Sequence, residues 1–300
     1  MNIRKVERRL PEGFRVRRAG GKISICRAGR EDVIAGLAEG GGVARRTVRR
    51  LRGRGRPAVV EAGGELLVVR HYYHGGIFRK LTGDLFPGTG RFLNELRLLE
   101  SARRGEVAVP EPVGLLIEPV FPALFRADLV TVYLPESVDL LSHCRNLAAS
   151  GPGRCPPGVI SAAGRQVARL HRAGILHGDL QLKNILVRPV RTPPEVFLLD
   201  FDRAREGPAT PAGRRRNLRR LYRSFLKMTL AGPGTSRCDP IRFLRAYAPG
   251  DQEFRRRTVA GVRRRRPGFG LRRIKWKLSL FLGGGYYARP MEGGKEEAEP

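Results

Sequence analysis

Hydrophobic and polar positions change period along the chain. From 1 to about 42 the text is basic and punctuated by glycine, with weak alternation at Phe14 and Val16 and again at Ile23 and Ile25. That predicts short strands, with a small helix around Asp32 to Leu37. The pattern sharpens after Thr47: residues 58–61 and 65–70 read as strands joined at Gly63-Gly64, a pair that supplies the backbone of a tight hairpin. Residues 90–104 place Phe92, Leu96 and Leu99 at helical spacing with Glu95 beside them. Gly105 and the run Val109-Pro110-Glu111-Pro112 stop that helix, and 113–117 with 129–134 read as a hairpin of core strands.

Tyr133, Leu134, Pro135 and Glu136 then form a connection between two lobes. A Gly- and Pro-rich loop at 150–157 precedes a helix carrying Ile160, Ala163, Val167 and Leu170, closed by Gly174. Apolar runs at 185–187 and 196–199 read as short core strands. A helix over 213–230 turns Leu218, Leu221, Tyr222, Phe225 and Leu226 inward and Arg214, Arg215, Arg216, Arg219, Arg220 and Arg223 to its other face. From 255 to 287 Arg and Lys interleave with apolar residues around Trp276, either as a helix packed on the lower lobe or as a segment lying on an anionic membrane surface. The acidic end, 292–300, reads as a disordered tail.

Composition narrows the class. With 300 residues, 41% of them hydrophobic, the chain is able to bury one two-lobed core or two modest domains. No segment approaches the roughly 20 uninterrupted apolar residues of a spanning helix. The first 18 residues are charged throughout rather than built on an apolar signal core, so residence inside the cell is expected. Cys26, Cys144, Cys155 and Cys238 are scattered with no C-x-x-C pair, which suggests neither a zinc site nor a disulfide framework. The net charge of +30 attracts polyanions of any kind. Only 8 of the 58 basic residues are lysine, a bias that high-GC coding also produces, but coding does not explain the excess of base over acid.

Chemistry enters at His177-Gly178-Asp179-Leu180-Gln181-Leu182-Lys183-Asn184, which has the H-x-D-x-x-x-x-N spacing of a phosphotransferase catalytic loop. Shortly after it, an apolar strand delivers Asp200, in the run Asp200-Phe201-Asp202. Phosphoryl transfer needs a carboxylate for the acceptor hydroxyl and oxygen ligands for the metal that neutralises the triphosphate. Asp179 fits the first role, and Asn184 and Asp200 fit the metal roles, with Mg2+ and ATP as the expected cofactors. Gly53, Gly55 and Ala58 occupy the positions of a G-x-G-x-x-G whose last glycine is alanine, a candidate lid over the nucleotide. Arg70 stands at a strand end where a kinase keeps a phosphate-binding lysine, and Glu95 is its candidate partner. The backbone at Tyr133 is placed to bond an adenine edge. Between Asp202 and the next helix there is almost no room for an activation segment, which favours a small or glycolipid acceptor over a protein.

On these residues the chain resembles the bacterial lipopolysaccharide core sugar kinases, and among them the 3-deoxy-D-manno-octulosonic acid (Kdo) kinases. The points of resemblance are Arg70-His71-Tyr72 with Gly75-Gly76, the run from Arg126 to Thr131, the loop through Val187, the run Asp200 to Arg203, and the Asn-Leu-x-x-Leu-x-x-Ser spacing from Asn217 to Ser224. The resemblance implies an α+β, protein-kinase-like fold: a β-rich N-lobe over 1–134 and a mainly helical C-lobe over 135–290. It also implies ATP, Mg2+ and transfer to a hydroxyl of Kdo attached to lipid A, with the protein peripheral on the cytoplasmic face of the inner membrane. Gly178, the proline-rich insert 188–194 and the basic extension beyond 230 depart from the family pattern and leave a heptose or another glycolipid sugar open as acceptor. An antibiotic-modifying phosphotransferase would share the loop, but a +30 enzyme repels polycationic acceptors. A basic nucleic-acid-binding protein would explain the charge but not Asp179, Asn184 and Asp200, so no specific nucleic acid is expected.

Overall fold

A computed structural model describes residues 6–39, 42–51, 57–74, 83–150, 153–189, 191–231, 236 and 238–263. The chain divides into two units: Met1–Pro135 together with Phe201–Arg205, and Glu136–Asp200 together with Glu206–Pro300. Residues 201–205 thus count with the first unit, whereas the sequence placed them with 135–290.

In the first unit, β1 (Phe14–Ala19) and β2 (Lys22–Arg27) form a hairpin and are followed by α1 (Glu31–Ala38) and α2 (Gly42–Arg45). Next come β3 (Thr47–Arg50), β4 (Ala58–Ala62), β5 (Glu65–His71), β6 (Phe86–Pro87), α3 (Gly90–Arg104), β7 (Pro112–Phe121) and β8 (Leu124–Val132). Among the described residues the sheet runs β1-β2-β7-β8-β5-β4-β3, antiparallel throughout, with β6 on β8. The β4–β5 hairpin turns at Gly63 and Gly64, whose φ angles of 63° and 75° suit glycine. Gly114 marks a close approach, because a Cβ there would lie 2.2 Å from the Ile25 carbonyl oxygen on β2. Under the sheet Ile34, Val60, Leu67 and Val130 are fully buried, each worth about 1.5–3 kcal/mol of apolar transfer.

The second unit begins with β9 (Val138–Asp139), where the Asp139 carboxylate accepts the Ser142 N–H at 2.9 Å and caps α4 (Leu140–Ala149). The sequence pattern had not revealed α4. After α5 (Pro157–Arg172) come β10 (Ile175–Leu176), β11 (Ile185–Arg188) and β12 (Glu195–Leu198), with β11 paired between β12 and β9. α6 (Pro211–Ala231), α7 (Asp239–Tyr247) and α8 (Gln252–Arg263) complete it. α5 buries Ile160, Ala163, Val167 and Leu170, the residues its spacing selected. It crosses α7 at Gly164, where a Cβ would meet the Phe243 carbonyl oxygen at 2.6 Å. Two strands proved longer than expected: β7 and β8 extend to Phe121 and back from Leu124. Arg70 lies one residue before the end of β5, and β1 and β2 fall where the weak alternation at Phe14, Val16, Ile23 and Ile25 indicates short strands. The basic run expected over 255–287 is described only as far as α8, and 264–300, with the tail at 291–300, lies outside the described residues.

Candidate active site

In the second unit, the loop from His177 to Asn184 is tied down atom by atom. β10 delivers His177, and Gly178 at φ 68° makes the turn that lets the Asp179 N–H donate to the His177 carbonyl at 2.6 Å. The His177 ring is fully buried and its Nε2 donates to the Leu199 carbonyl at 2.8 Å. Burial pushes its pKa down, so it is a neutral bracket between this loop and the end of β12 rather than a base. A 3₁₀ turn over Leu182–Asn184 then brings Asn184 back, its Nδ2 donating to the Asp179 carbonyl at 2.9 Å and its own carbonyl accepting the Leu199 N–H at 2.9 Å. With the amide nitrogen used on the loop, Asn184 Oδ1 is the atom left to ligate a cation; it accepts no bond from any described residue.

Asp200 follows Leu199 at φ 65°, a left-handed conformation that asparagine and aspartate visit more readily than other side chains. Holding a non-glycine residue there costs on the order of 1–3 kcal/mol, and such strain gathers at functional sites. The Asp179 carboxylate accepts Gln181 Nε2 at 2.7 Å and is paired with Arg220, both on Oδ1. Among the described residues Oδ2 takes no bond. Burial alone would raise the Asp179 pKa, but Gln181 and Arg220 outweigh it and hold the group below the usual carboxylate range.

Helix α6 supports this loop from two positions seven residues apart, which a helix sets two turns apart on one face. Asn217 Oδ1 accepts the His177 N–H at 2.8 Å, and Ser224 Oγ accepts the Leu182 N–H at 3.1 Å. Both side chains are buried. Because Asn217 Oδ1 accepts, His171 Nε2 at 3.2 Å must donate to it, and His171 Nδ1 then accepts the Tyr247 hydroxyl at 2.7 Å. Burial pushes the His171 pKa down to about 4, consistent with that neutral form. The sequence had marked the Asn217 to Ser224 spacing without giving either residue a task. It had also set Arg214 and Arg220 on an outward face, and this is corrected: Arg220 is bonded to Asp179, and Arg214 lies over the Phe254 ring at 4.6 Å.

In the first unit, Arg70 Nη2 donates to Glu95 Oε1 at 2.7 Å and the Tyr72 hydroxyl donates to Glu95 Oε2 at 2.6 Å. Glu95 is 1% exposed, so it is an interior hub rather than a solvated helix residue. Arg70 also sits 4.8 Å over the Tyr72 ring. Four residues before Glu95, on the same helix, Arg91 holds Asp202 bidentately. Tyr133 is less suited to the adenine edge than its position suggested, since its N–H is taken by the Leu66 carbonyl at 2.9 Å and its hydroxyl by Arg49. Gly53 and Gly55 lie outside the described residues, as do Gly75 and Gly76.

The donors fit the magnesium expected from the sequence. Asn184 Oδ1 and the Asp200 carboxylate are hard oxygen ligands, and Mg2+ typically takes one or two protein ligands and completes its shell with water and phosphate. Among the described residues no group of three or more His, Cys, Asp or Glu is gathered to hold a metal.

The chain matches the lipopolysaccharide kinase (Kdo/WaaP) family over residues 42–247. Proteins named 3-deoxy-D-manno-octulosonic acid kinase are similar to it: one from Actinobacillus succinogenes is 33% identical over 174 residues, 56% of this chain and 69% of the relative. One from Photobacterium profundum is 34% identical over 182 residues, 59% of this chain and 72% of the relative. For the protein from Mannheimia succiniciproducens, 31% identical, the match takes in 53% of this chain and 65% of the relative's length. A solved structure of WaaP in complex with acyl carrier protein aligns with a TM-score of 0.49 at 20% identity, over 74% of this chain and 90% of that one. With an antiparallel sheet unit, a helical unit and a family match spanning the loop from His177 to Asn184, the fold is α+β and kinase-like, and the chain belongs to the lipopolysaccharide kinase (Kdo/WaaP) family.

Proposed function

We propose that the chain is a phosphotransferase that moves the γ-phosphoryl group of ATP to a sugar hydroxyl of the lipopolysaccharide inner core, with Kdo on lipid A as the acceptor. The observation that carries this reading is the loop from His177 to Asn184: one carboxylate oxygen, Asp179 Oδ2, is held out while Oδ1 is anchored by Gln181 and Arg220. A carboxylate so held presents a single directed acceptor to a hydroxyl.

In the proposed reaction the acceptor oxygen bonds to the γ-phosphorus as the bond to the β,γ-bridging oxygen breaks, releasing ADP. Asp179 Oδ2 orients the hydroxyl and receives its proton. Because Arg220 and Gln181 keep Asp179 a weak base, this proton moves late, which suits a loose transition state with little charge on the nucleophile. Asn184 Oδ1 and Asp200 would hold Mg2+, which supplies neutralisation of the phosphate oxygens. Arg70, steadied by Glu95, serves the phosphates as the usual lysine does, with a fork able to grip two oxygens. Gly53 and Gly55 would lie over the nucleotide, and Tyr133 is reduced to a flanking role.

The proposed partners are the lipid-linked sugar and the anionic inner face of the inner membrane, met by the basic run over 255–287; no helix of the described residues is long and apolar enough to cross a membrane. Mass spectrometry of lipopolysaccharide from a strain lacking this chain tests the acceptor. Loss of a phosphate from Kdo is expected; loss from a heptose would move the activity to that sugar, and an unchanged phosphate pattern would overturn the reading.

A further inference from the structure

A second concentration of charge lies in the helical unit, away from the loop residues. Arg215, Arg216 and Arg219 recur at helical spacing on α6 and, with Ala212 and with Arg257, Thr258 and Gly261 of α8, line a cavity of about 270 Å3. Arg214 over the buried Phe254 ring ties the two helices together. Among the described residues no carboxylate pairs with Arg215, Arg216 or Arg219; Arg257 alone has one, Glu253 one turn back on its own helix at 2.5 Å. Guanidinium groups three and four residues apart repel one another, so this face is unfavourable until an anion joins them.

Thr258 gives an independent sign. It is 3% exposed and, among the described residues, its Oγ1 has no hydrogen-bond partner. A helical threonine commonly turns its hydroxyl to the carbonyl four residues back, and a buried hydroxyl left unpaired is costly. Arginine side chains with no carboxylate partner among the described residues and an unsatisfied hydroxyl meet at one cavity, and both call for the same ligand, an anion rich in oxygen acceptors.

We infer that the cavity between α6 and α8 binds a phosphate group, gripped by Arg215, Arg216 and Arg219 and bonded by Thr258 Oγ1. Phosphate offers more acceptor oxygens and more charge than a carboxylate, and arginine forks match it bidentately. The volume is several times the roughly 30 Å3 of a water and below the about 300 Å3 at which sites for drug-sized ligands begin, so it suits a phosphate or diphosphate group rather than a whole nucleotide. The site does not depend on the proposed reaction. The phosphate has two possible sources, a soluble phosphate compound or a lipid phosphomonoester.

Calorimetric titration with pyrophosphate separates this site from the general attraction of a basic protein. Arg215→Gln/Arg219→Gln is expected to weaken binding about tenfold or more, and the isosteric Thr258→Val about threefold. Arg245→Gln/Arg256→Gln removes the same charge from exposed positions outside the cavity and should change binding less than about twofold. The same proteins are sedimented with phosphatidylcholine vesicles containing phosphatidic acid. Cavity-dependent sedimentation that pyrophosphate blocks assigns the lipid source, whereas sedimentation indifferent to pyrophosphate alongside the calorimetric pattern assigns a soluble one. Equal losses in the two double variants, or no saturable pyrophosphate binding, would overturn the inference. Should the cavity double variant fail to fold, Thr258→Val decides: unchanged affinity there counts against the site.

Discussion

Glu95 in the first unit and Asp179 in the second both bond an arginine, yet the Glu95 side chain is 1% exposed and that of Asp179 18%. Glu95 commits both oxygens, one to Arg70 and the other to Tyr72. Asp179 places both of its partners on one oxygen and keeps the other out of the network. The first arrangement builds an interior: a buried charge bonded on both oxygens, whose removal takes a partner from an arginine and from a tyrosine hydroxyl. The second holds a reactive group in place without consuming it. The same pairing of residue types thus closes a buried network in one unit and, in the reaction proposed above, leaves an oxygen for chemistry in the other, and the number of oxygens committed distinguishes them.

The sharpest way to break that contrast is to neutralise each carboxylate. Asp179→Asn should lower kcat by roughly 10²–10⁴-fold, a typical share for acid-base chemistry, while its melting temperature stays close to the parent's. Steady-state kinetics beside thermal unfolding would read both. Glu95→Ala should instead cost about 3–5 kcal/mol of stability because the buried ion pair loses one partner, and should raise KM for ATP because Arg70 loses its support. Urea unfolding measures the stability, and a loss below about 1 kcal/mol would mean that Glu95 is not the hub described, since exposed pairs have that size.

A smaller effect is expected at the supports of the loop. Asn217→Ala leaves the buried His177 N–H and the His171 ring without their acceptor and should cost about 1–3 kcal/mol, with kcat falling while KM for ATP holds. Ser224→Ala frees the Leu182 N–H and should cost about 1 kcal/mol. If KM for ATP moved and kcat did not, Asn217 would be acting on nucleotide binding instead of on the loop.

The smallest effect is in pH dependence. His71 lies between Asp128 at 2.7 Å and Asp84 at 3.0 Å, with Arg126 on Asp84 and Tyr73 edge-on to the ring. Burial pulls its pKa down, but the two carboxylates more than offset that and leave it raised. A raised folded-state pKa stabilises fully below the unfolded value of about 6.5 and loses that contribution as pH climbs through the folded value. The melting advantage of the parent over His71→Gln should therefore be present at about pH 5.5 and gone at about pH 9. An advantage that grows with pH would reverse the assignment.

Local pattern carried much of the architecture. Helix α3 spans Gly90–Arg104 as its apolar spacing and the Gly105 stop indicate, and the β4–β5 hairpin turns at its paired glycines. α4 escaped because its buried residues, Leu140 to Cys144, crowd into one turn and a half and show no repeat across the helix. α7 and α8 were hidden because arginine interrupts their few apolar residues, Arg242 and Arg245 in α7 and Arg255 to Arg257 in α8, so by composition these segments read as basic rather than as helices. The linear motif located Asp179, Asn184 and Asp200, since their spacing is set by a single loop and the strand after it. The roles of Asn217, Ser224 and Arg220 were not legible, because each meets a loop about 40 residues away and only helix α6 brings their shared face to it. Arg220 stands three residues after Asn217, on the face that meets the loop, so counting arginines along α6 assigned it to the wrong side.

The account rests on Asn184 Oδ1 and Asp200 being the protein's ligands for the nucleotide's metal, and a crystal structure with a non-hydrolysable ATP analogue and Mg2+ tests it most directly. The account predicts an ion bonded to Asn184 Oδ1 and an Asp200 oxygen at about 2.0–2.1 Å, with Asp179 Oδ2 facing the γ-phosphate from its acceptor side. An ion bound to the phosphates alone, with Asn184 and Asp200 turned elsewhere, would contradict it.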